Sequence, residues 1–254
     1  MSKFEIIKKT VHDTRFHERC ALGIMTKAPI AGKVKTRLSP PLTSLEAAAL
    51  NISFLQDLSG SIEVASRRAA AVGVAIYMPV GSEAAYDDVL TPGFLLLPQR
   101  GESFGERLGN AVSDLLAVGF GSVCLINSDS PTVPASNFIE ASNELAKSGE
   151  RVVLGPSDDG GYYLIGLKKL HQRLFEEIDW STERVLEQTV ARATEIGVPV
   201  HQLPHGFDVD DRETLQRLCD QLVSDEDGDG AAKHTRKFLR DIIAREGRER
   251  IWPV

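Results

Sequence analysis

The chain has 254 residues, 42% of them hydrophobic and 26% charged, which supplies enough apolar material for one large α/β domain and argues against wholesale disorder. A formal net charge of −7 argues against a general nucleic-acid-binding surface, so an anionic ligand would need a local patch of cations. The cysteines Cys20, Cys124 and Cys219 are far apart, which excludes a sequence-evident zinc site and suits a reducing compartment.

In chain order, residues 1–19 read as a polar N-terminal extension. They hold neither the roughly 7–15 apolar residues of a secretory core nor the roughly 20 of a membrane span, so a cytoplasmic protein with no membrane partner is expected. Cys20 to Met25 is predicted to be the first buried strand, followed by a Pro-, Gly- and Lys-rich loop from Lys27 to Pro41. Thr43 and Glu46 form a capping box that opens a long helix. Val72 to Val80 and Phe94 to Leu97 read as strands, with a short helical stretch near Glu83 to Val89 between them. Phe104, Leu108, Ala111, Val112 and Leu115 recur at helical spacing. Val123 to Asn127 is a fourth apolar strand, Pro134 to Ser148 a helix, and Val152 to Leu154 and Tyr162 to Leu167 two further strands. Ser181 is expected to cap a helix running to about Glu195, and a strand near Val200 to Leu203 precedes a helix ending at Val223. The domain proper thus covers residues 20–223. Residues 224–254 then give a polar linker, Ser224 to Thr235, and a helix from Arg236 to Arg245. This alternation predicts a mainly parallel central sheet with helices on both faces, and ligands beyond the carboxyl ends of the strands.

The chemistry-bearing residues fall just after those strands. Lys27, Lys33, Lys35 and Arg37 put four cations into one loop, where they could wrap a polyphosphate or simply form a solvated basic turn. The loop is not a P-loop, because that motif needs glycine at Lys27 and Ser or Thr at Val34. Asp129 follows a strand in Asn127-Ser128-Asp129-Ser130-Pro131, as a metal ligand or as a helix cap. Asp208 and Asp210, two apart, could present carboxylates to one site, with Asp211 capping the next helix. Gly155 to Gly166 contains Asp158-Asp159-Gly160-Gly161, which suits close backbone approach to a ligand or a plain hairpin turn. Asp225, Asp227 and Asp229 mimic the start of an EF-hand loop, but Arg236 stands where its glutamate belongs. The histidines show no metal-binding spacing, and no Ser/His/Asp pattern supports covalent hydrolysis.

The order of these motifs resembles the DUF2064 family (rSAM/selenodomain-associated transferase 1-like) of the GT-A nucleotide-diphospho-sugar transferase superfamily. The matching segments are Lys27 to Leu38, Ser128 to Pro131, Gly155 to Leu167, Trp180 to Thr189 and Phe207 to Leu215, within roughly residues 20 to 220. The sequence departs from the family pattern at Ser128, which replaces a glycine, at Asp211-Arg212, which replaces Thr-Pro, and between Gln99 and Arg107.

The resemblance implies a GT-A-like α/β fold and an enzyme of the transferase class. It also implies Mg²⁺ or Mn²⁺ on Asp129 and Asp210, and a nucleoside triphosphate or sugar nucleotide as partner. Nucleotidyl transfer to a phosphorylated or phosphonate small molecule or sugar phosphate is the preferred expectation, with glycosyl transfer from a sugar nucleotide as the alternative. In either case Lys27, Lys35, Arg37 and Asp129 carry the catalysis. Ala28, Pro29, Gly32, Lys33, Gln99 and Arg107 are expected to contact the nucleotide. Asp159, Gly160, Gly161, Trp180, Ser181 and Thr182 are expected on the acceptor or sugar side. A homodimer is compatible with the sequence.

Overall fold

The computed structural model describes residues 2–224 and 232–251. Its frame is an eight-stranded sheet in the order β1-β4-β3-β2-β5-β7-β6-β8. The strands are β1 (Glu5–Ile6), β2 (Cys20–Lys27), β3 (Ala71–Met78), β4 (Leu95–Pro98), β5 (Ser122–Ile126), β6 (Val152–Pro156), β7 (Tyr162–Leu167) and β8 (Val200–Gln202). Every pairing is parallel except those of β7, which runs antiparallel to both β5 and β6. β6 and β7 form a hairpin whose turn contains Asp159-Gly160, closed where Gly160 N–H donates to Ser157 O at 3.1 Å.

Because strand side chains alternate, each central strand feeds two cores. Leu22, Ile24, Cys124 and Ile126 pack against Leu55, Leu58 and Ile62 of α1 (Ser44–Arg68) and Phe138 of α3 (Ala135–Ala146). On the opposite face, Ala21, Val123 and Leu125 meet Leu108, Val112 and Leu115 of α2 (Phe104–Val118), and Ala193 of α4 (Val185–Glu195) joins them. The run of fully buried strands is what a parallel sheet covered on both faces requires. The expected capping box at Thr43 and Glu46 opens α1, and a second one, Ser103 with Glu106, opens α2.

The chain ends differ from the sequence reading. Residues set apart as a polar extension contribute β1, whose Glu5 and Ile6 align with Leu95 and Leu96, and Phe16 stacks on Phe120 with ring centroids 4.4 Å apart. At the other end, α5 (Arg212–Ser224) and α6 (Lys233–Glu246) build a third core with α1, in which Leu239 and Ile242 are buried beside Leu50 and Phe54. α6 starts at Lys233 rather than Arg236 because the buried Asp57 of α1 caps it. One carboxylate oxygen accepts from His234 N–H at 2.9 Å, and the other from Thr235 N–H and Oγ1 at 2.8 and 2.7 Å. Asp225, Asp227 and Asp229 lie outside the described residues, as does much of the expected linker. α7 (Arg248–Ile251) follows α6. Ser181 does not cap α4. That helix begins at Val185 after Arg184, and Ser181 sits in a turn with φ 66°. Among the described residues, no helix is long and apolar enough to cross a membrane.

Candidate active site

The parallel strands deliver their carboxyl ends to one edge of the sheet, and a cleft opens there. It has two adjoining lobes of about 410 and 550 Å³ that share Arg37, Phe104, Asp129, Ser181 and Asp210 as common walls. The smaller lobe is basic. It is lined by Lys27 at the end of β2, by Lys33, Lys35 and Arg37 of the following loop, and by Gln99 and Arg107. The larger lobe is lined by Asp159, Gly161, Trp180, Ser181, Thr182 and Asp208, among others.

The two carboxylates expected to share a cation do share one, the ammonium of Lys35. Its Nζ lies 2.7 Å from Asp129 Oδ1 and 3.1 Å from Asp210 Oδ1, and it donates to Val209 O at 2.6 Å. The Lys35 side chain is 5% exposed and rests 5.3 Å from the centroid of the Phe54 ring on α1. Burial opposes its charge, but the carboxylates of Asp129 and Asp210 outweigh that and hold its pKa above the ordinary lysine value. Burial, together with the neighbouring Asp129, raises that of Asp210. The backbone at Lys35 is left-handed, φ 49° and ψ 37°. A non-glycine residue there costs roughly 1–2 kcal/mol, so packing must enforce the conformation. Ser181 carries the same kind of strain, and both residues line the cleft.

Lys27, Lys33 and Arg37 contrast with Lys35. Among the described residues, none of the three makes a side-chain ion pair or hydrogen bond. They are exposed, and they face a lobe whose floor is the carboxylate pair. Gln99 is fixed, because its Nε2 donates to Thr26 O at 2.9 Å and to Ile76 O at 2.7 Å, which leaves its side-chain oxygen as the uncommitted acceptor. Arg107 donates to Glu102 O at 2.8 Å. Ala28, Pro29 and Gly32, expected at the nucleotide, shape the loop and do not line the cleft. Ala28 is buried with its N–H on Met78 O, and Gly32 lies at an open turn.

The larger lobe is assembled by close packing. Gly160, with φ 83°, does not line the cleft. An added Cβ would stand 2.1 Å from Glu183 O, so its backbone abuts the Trp180–Glu183 turn instead of a ligand. Leu186 N–H donates to Gly160 O at 2.9 Å and fixes the start of α4. Trp180 lies over Gly105 in the first turn of α2, and its ring meets Phe104 edge-on at 5.2 Å. The indole and Phe104, which is 43% exposed, form an apolar wall. Asp159 Oδ1 accepts from Gly161 N–H at 2.9 Å, which orients the carboxylate.

Asp208, put forward with Asp210 as a carboxylate for one site but not as a metal ligand, lines the larger lobe. Its Oδ1 accepts from Ser130 Oγ at 2.6 Å and from Ser157 Oγ at 2.9 Å, tying the loops after β5, β6 and β8 together. Burial pushes its pKa up to about 6, against the Ser130 hydrogen bond and with help from the nearby Asp129. Its two-residue spacing from Asp210 was the available signal. The other candidate roles resolve simply. Asp211 caps α5 through Thr214 N–H at 2.9 Å, and Asn127 Oδ1 accepts from Asp129 N–H at 3.2 Å. His201 pairs with Glu140 at 2.8 Å on α3 and stands apart from the cleft.

Comparison with known proteins agrees with this architecture. The family described as "Uncharacterized protein conserved in bacteria (DUF2064)" matches residues 61–182. A candidate nucleotide-diphospho-sugar transferase from Desulfovibrio desulfuricans G20 is 29% identical, superimposes with a TM-score of 0.78, and is matched over 91% of this chain and 99% of its own. A CMP:2-keto-3-deoxy-manno-octonic acid synthetase complexed with CTP shares the fold at 10% identity and a TM-score of 0.50, over 79% of this chain and 96% of its own. No curated protein matches the sequence. The resemblance carried by the ordered motifs is borne out: the chain is similar to the DUF2064 family over residues 61–182 and shares the nucleotide-diphospho-sugar transferase fold, and the expected class, a transferase, stands with it.

Proposed function

We propose that this protein is a nucleotide-handling transferase that joins a nucleoside triphosphate to a phosphorylated or phosphonate small molecule or sugar phosphate. One observation carries the reading. Three cations that make no side-chain ion pair or hydrogen bond among the described residues, Lys27, Lys33 and Arg37, surround a lobe that ends on two adjacent carboxylates, in a chain of net charge −7. Polyphosphate is the ligand class that satisfies such an arrangement, with Arg37 able to donate to two oxygens at once. The β- and γ-phosphates would lie on these cations and the α-phosphate near Asp129 and Asp210.

The donor set fits a hard divalent cation. Asp129 and Asp210 offer oxygen only, are 30% and 48% exposed towards the cleft, and already converge on one positive charge. Two carboxylates suffice for Mg²⁺, which commonly takes one or two and leaves the rest of its shell to phosphates and water. When bound, Mg²⁺ or Mn²⁺ would neutralise charge on the α-phosphate. The protein's own groups do the rest. An anionic oxygen of the acceptor attacks the α-phosphorus as the bond to the bridging oxygen breaks, and pyrophosphate leaves with its charge held by Lys27, Lys33 and Arg37. Trp180 and Phe104 would face the acceptor, and the second oxygen of Asp159 would accept from one of its hydroxyls.

Glycosyl transfer from a sugar nucleotide is the second reading, and the aromatic wall of the larger lobe favours it. Against it, Asn127 occupies the first position of the usual Asp-x-Asp pair and is spent on the backbone of Asp129. Thermal-shift screening of nucleoside triphosphates and sugar nucleotides, with and without Mg²⁺, tests both readings through ligand-linked stability. Phosphorus NMR of turnover then separates them. Pyrophosphate release with a phosphate acceptor supports the first, and nucleoside diphosphate release the second. A protein stabilised by neither ligand class would sink both.

A further inference from the structure

This inference rests on the assignment of a divalent cation to Asp129 and Asp210, and concerns the residue that stands between them. We propose that Lys35 is an internal counter-ion that makes divalent-metal binding at Asp129 and Asp210 conditional on nucleotide. An ammonium has three hydrogens to donate and no acceptor. Two go to Asp210 Oδ1 at 3.1 Å and Val209 O at 2.6 Å, and the ammonium also stands 2.7 Å from Asp129 Oδ1 as an ion pair. The left-handed backbone at Lys35 and the Phe54 ring beneath its side chain aim it at this spot and away from the open part of the basic lobe. No other cation of the loop is held this way among the described residues.

A divalent cation arriving at these carboxylates has two options. It competes with Lys35 for the same two oxygens, or it takes the opposite oxygens beside a full positive charge. Either option weakens its binding to the protein alone. A nucleoside triphosphate changes the balance, because it brings several negative charges into the lobe that Lys35 also lines. Its phosphate oxygens offer the ammonium new acceptors and screen the cation from it. Metal and nucleotide then bind cooperatively, and linkage requires that each tighten the other by the same factor. Lys27, Lys33 and Arg37 therefore serve as phosphate ligands from the start, whereas Lys35 becomes one only on exchange with metal.

The test is Mn²⁺ binding, followed by the electron paramagnetic resonance of free Mn²⁺, without nucleotide and with a non-hydrolysable nucleoside triphosphate analogue, corrected for Mn²⁺ held by the analogue itself. The wild-type protein should bind Mn²⁺ weakly alone and about tenfold or more tightly with the analogue, within the usual range of coupling. Lys35→Met, which keeps the stem and removes the charge, should bind Mn²⁺ about tenfold more tightly than wild type without nucleotide, and the gain from the analogue should shrink. Lys35→Gln, which retains a donor for Val209 O, should behave alike, and added Mn²⁺ should raise the melting temperature of either variant more than that of wild type. If both variants fold, as judged by circular dichroism, and bind Mn²⁺ alone no more tightly than wild type, while wild type binds it with the analogue, the counter-ion role is wrong and the metal assignment stands. Absence of Mn²⁺ binding by every protein under every condition overturns both.

Discussion

Replacing Gly160 by alanine tests how the larger lobe is built. The native backbone there has φ 83°, a conformation that costs an alanine roughly 1–2 kcal/mol. The new methyl would also stand 2.1 Å from Glu183 O and 2.7 Å from Glu183 Cα, all backbone atoms that no rotamer change can move aside. Relieving such a contact requires the Trp180–Glu183 turn to shift, and overpacking of this kind costs about 1–3 kcal/mol more. The sum, about 2–5 kcal/mol, corresponds to a fall in melting temperature of about 5–20 °C for a chain of this size. Because the displaced turn carries Trp180, Ser181 and Thr182, KM for the acceptor should rise well beyond any change in nucleotide Kd. Urea unfolding, differential scanning calorimetry and steady-state kinetics measure the three quantities. A Gly160→Ala protein with wild-type melting temperature and acceptor KM would show that the turn does not depend on this contact, and the packing argument would fail.

Arg37→Ala should leave stability within about 0.5 kcal/mol of wild type, because no internal partner is lost, yet weaken nucleotide binding by about 1.5–3 kcal/mol, roughly ten- to a hundredfold. Calorimetric titration decides, and unchanged affinity would mean that the basic loop is only a solvated turn. Asp159→Asn keeps the acceptor for Gly161 N–H but loses the charge, so it should lower kcat/KM for the acceptor while leaving Kd for the bare nucleotide nearly unchanged. Loss of nucleotide binding in the absence of acceptor would move Asp159 to the phosphate side. Asp208 gives a pH signature. With its pKa raised from 3.8 to about 6 by burial, the native state holds a proton that the unfolded chain has released, so its stabilising contribution is full below pH 3.8 and is lost as pH rises through 6. Asp208→Asn, which keeps an acceptor for Ser130 and Ser157, should remove about 1–3 kcal/mol of that fall. Urea denaturation in chelator-treated buffer from pH 4 to pH 7.5 measures it, and parallel profiles for the two proteins would refute the assignment.

Much of the site was legible because its residues sit at punctuation points. The Lys27–Arg37 loop, Asp129, Asp159 and Asp210 each follow an apolar run, and a parallel sheet sends the ends of such runs to one edge. The early loop and the later turn approach that edge from different strands and line mainly different lobes, whereas the expectation of a nucleotide side and an acceptor side came from the family resemblance. Lys35 was not separable from its neighbours. In sequence it is one of four cations in a loop, and only the left-handed backbone at that position turns its ammonium onto carboxylates 94 and 175 residues away. Gly160 misled for a related reason. An Asp-Gly-Gly turn signals freedom for close approach, but it does not say whether a ligand or the Glu183 backbone makes that approach.

By itself the sequence determined the fold class, since short continuous apolar runs alternating with capped helices leave few architectures other than a covered parallel sheet. It also determined which residue types stand at the carboxyl ends of those strands. Only the tertiary structure decided the antiparallel insertion of β7, the edge position of β1, and the capping of α6 by Asp57, 176 residues earlier than the helix it starts. The physical reason is common to all three. Local periodicity records which face of an element is apolar, but strand direction, edge pairing and long-range hydrogen bonds depend on partners whose distance along the chain leaves no periodic trace.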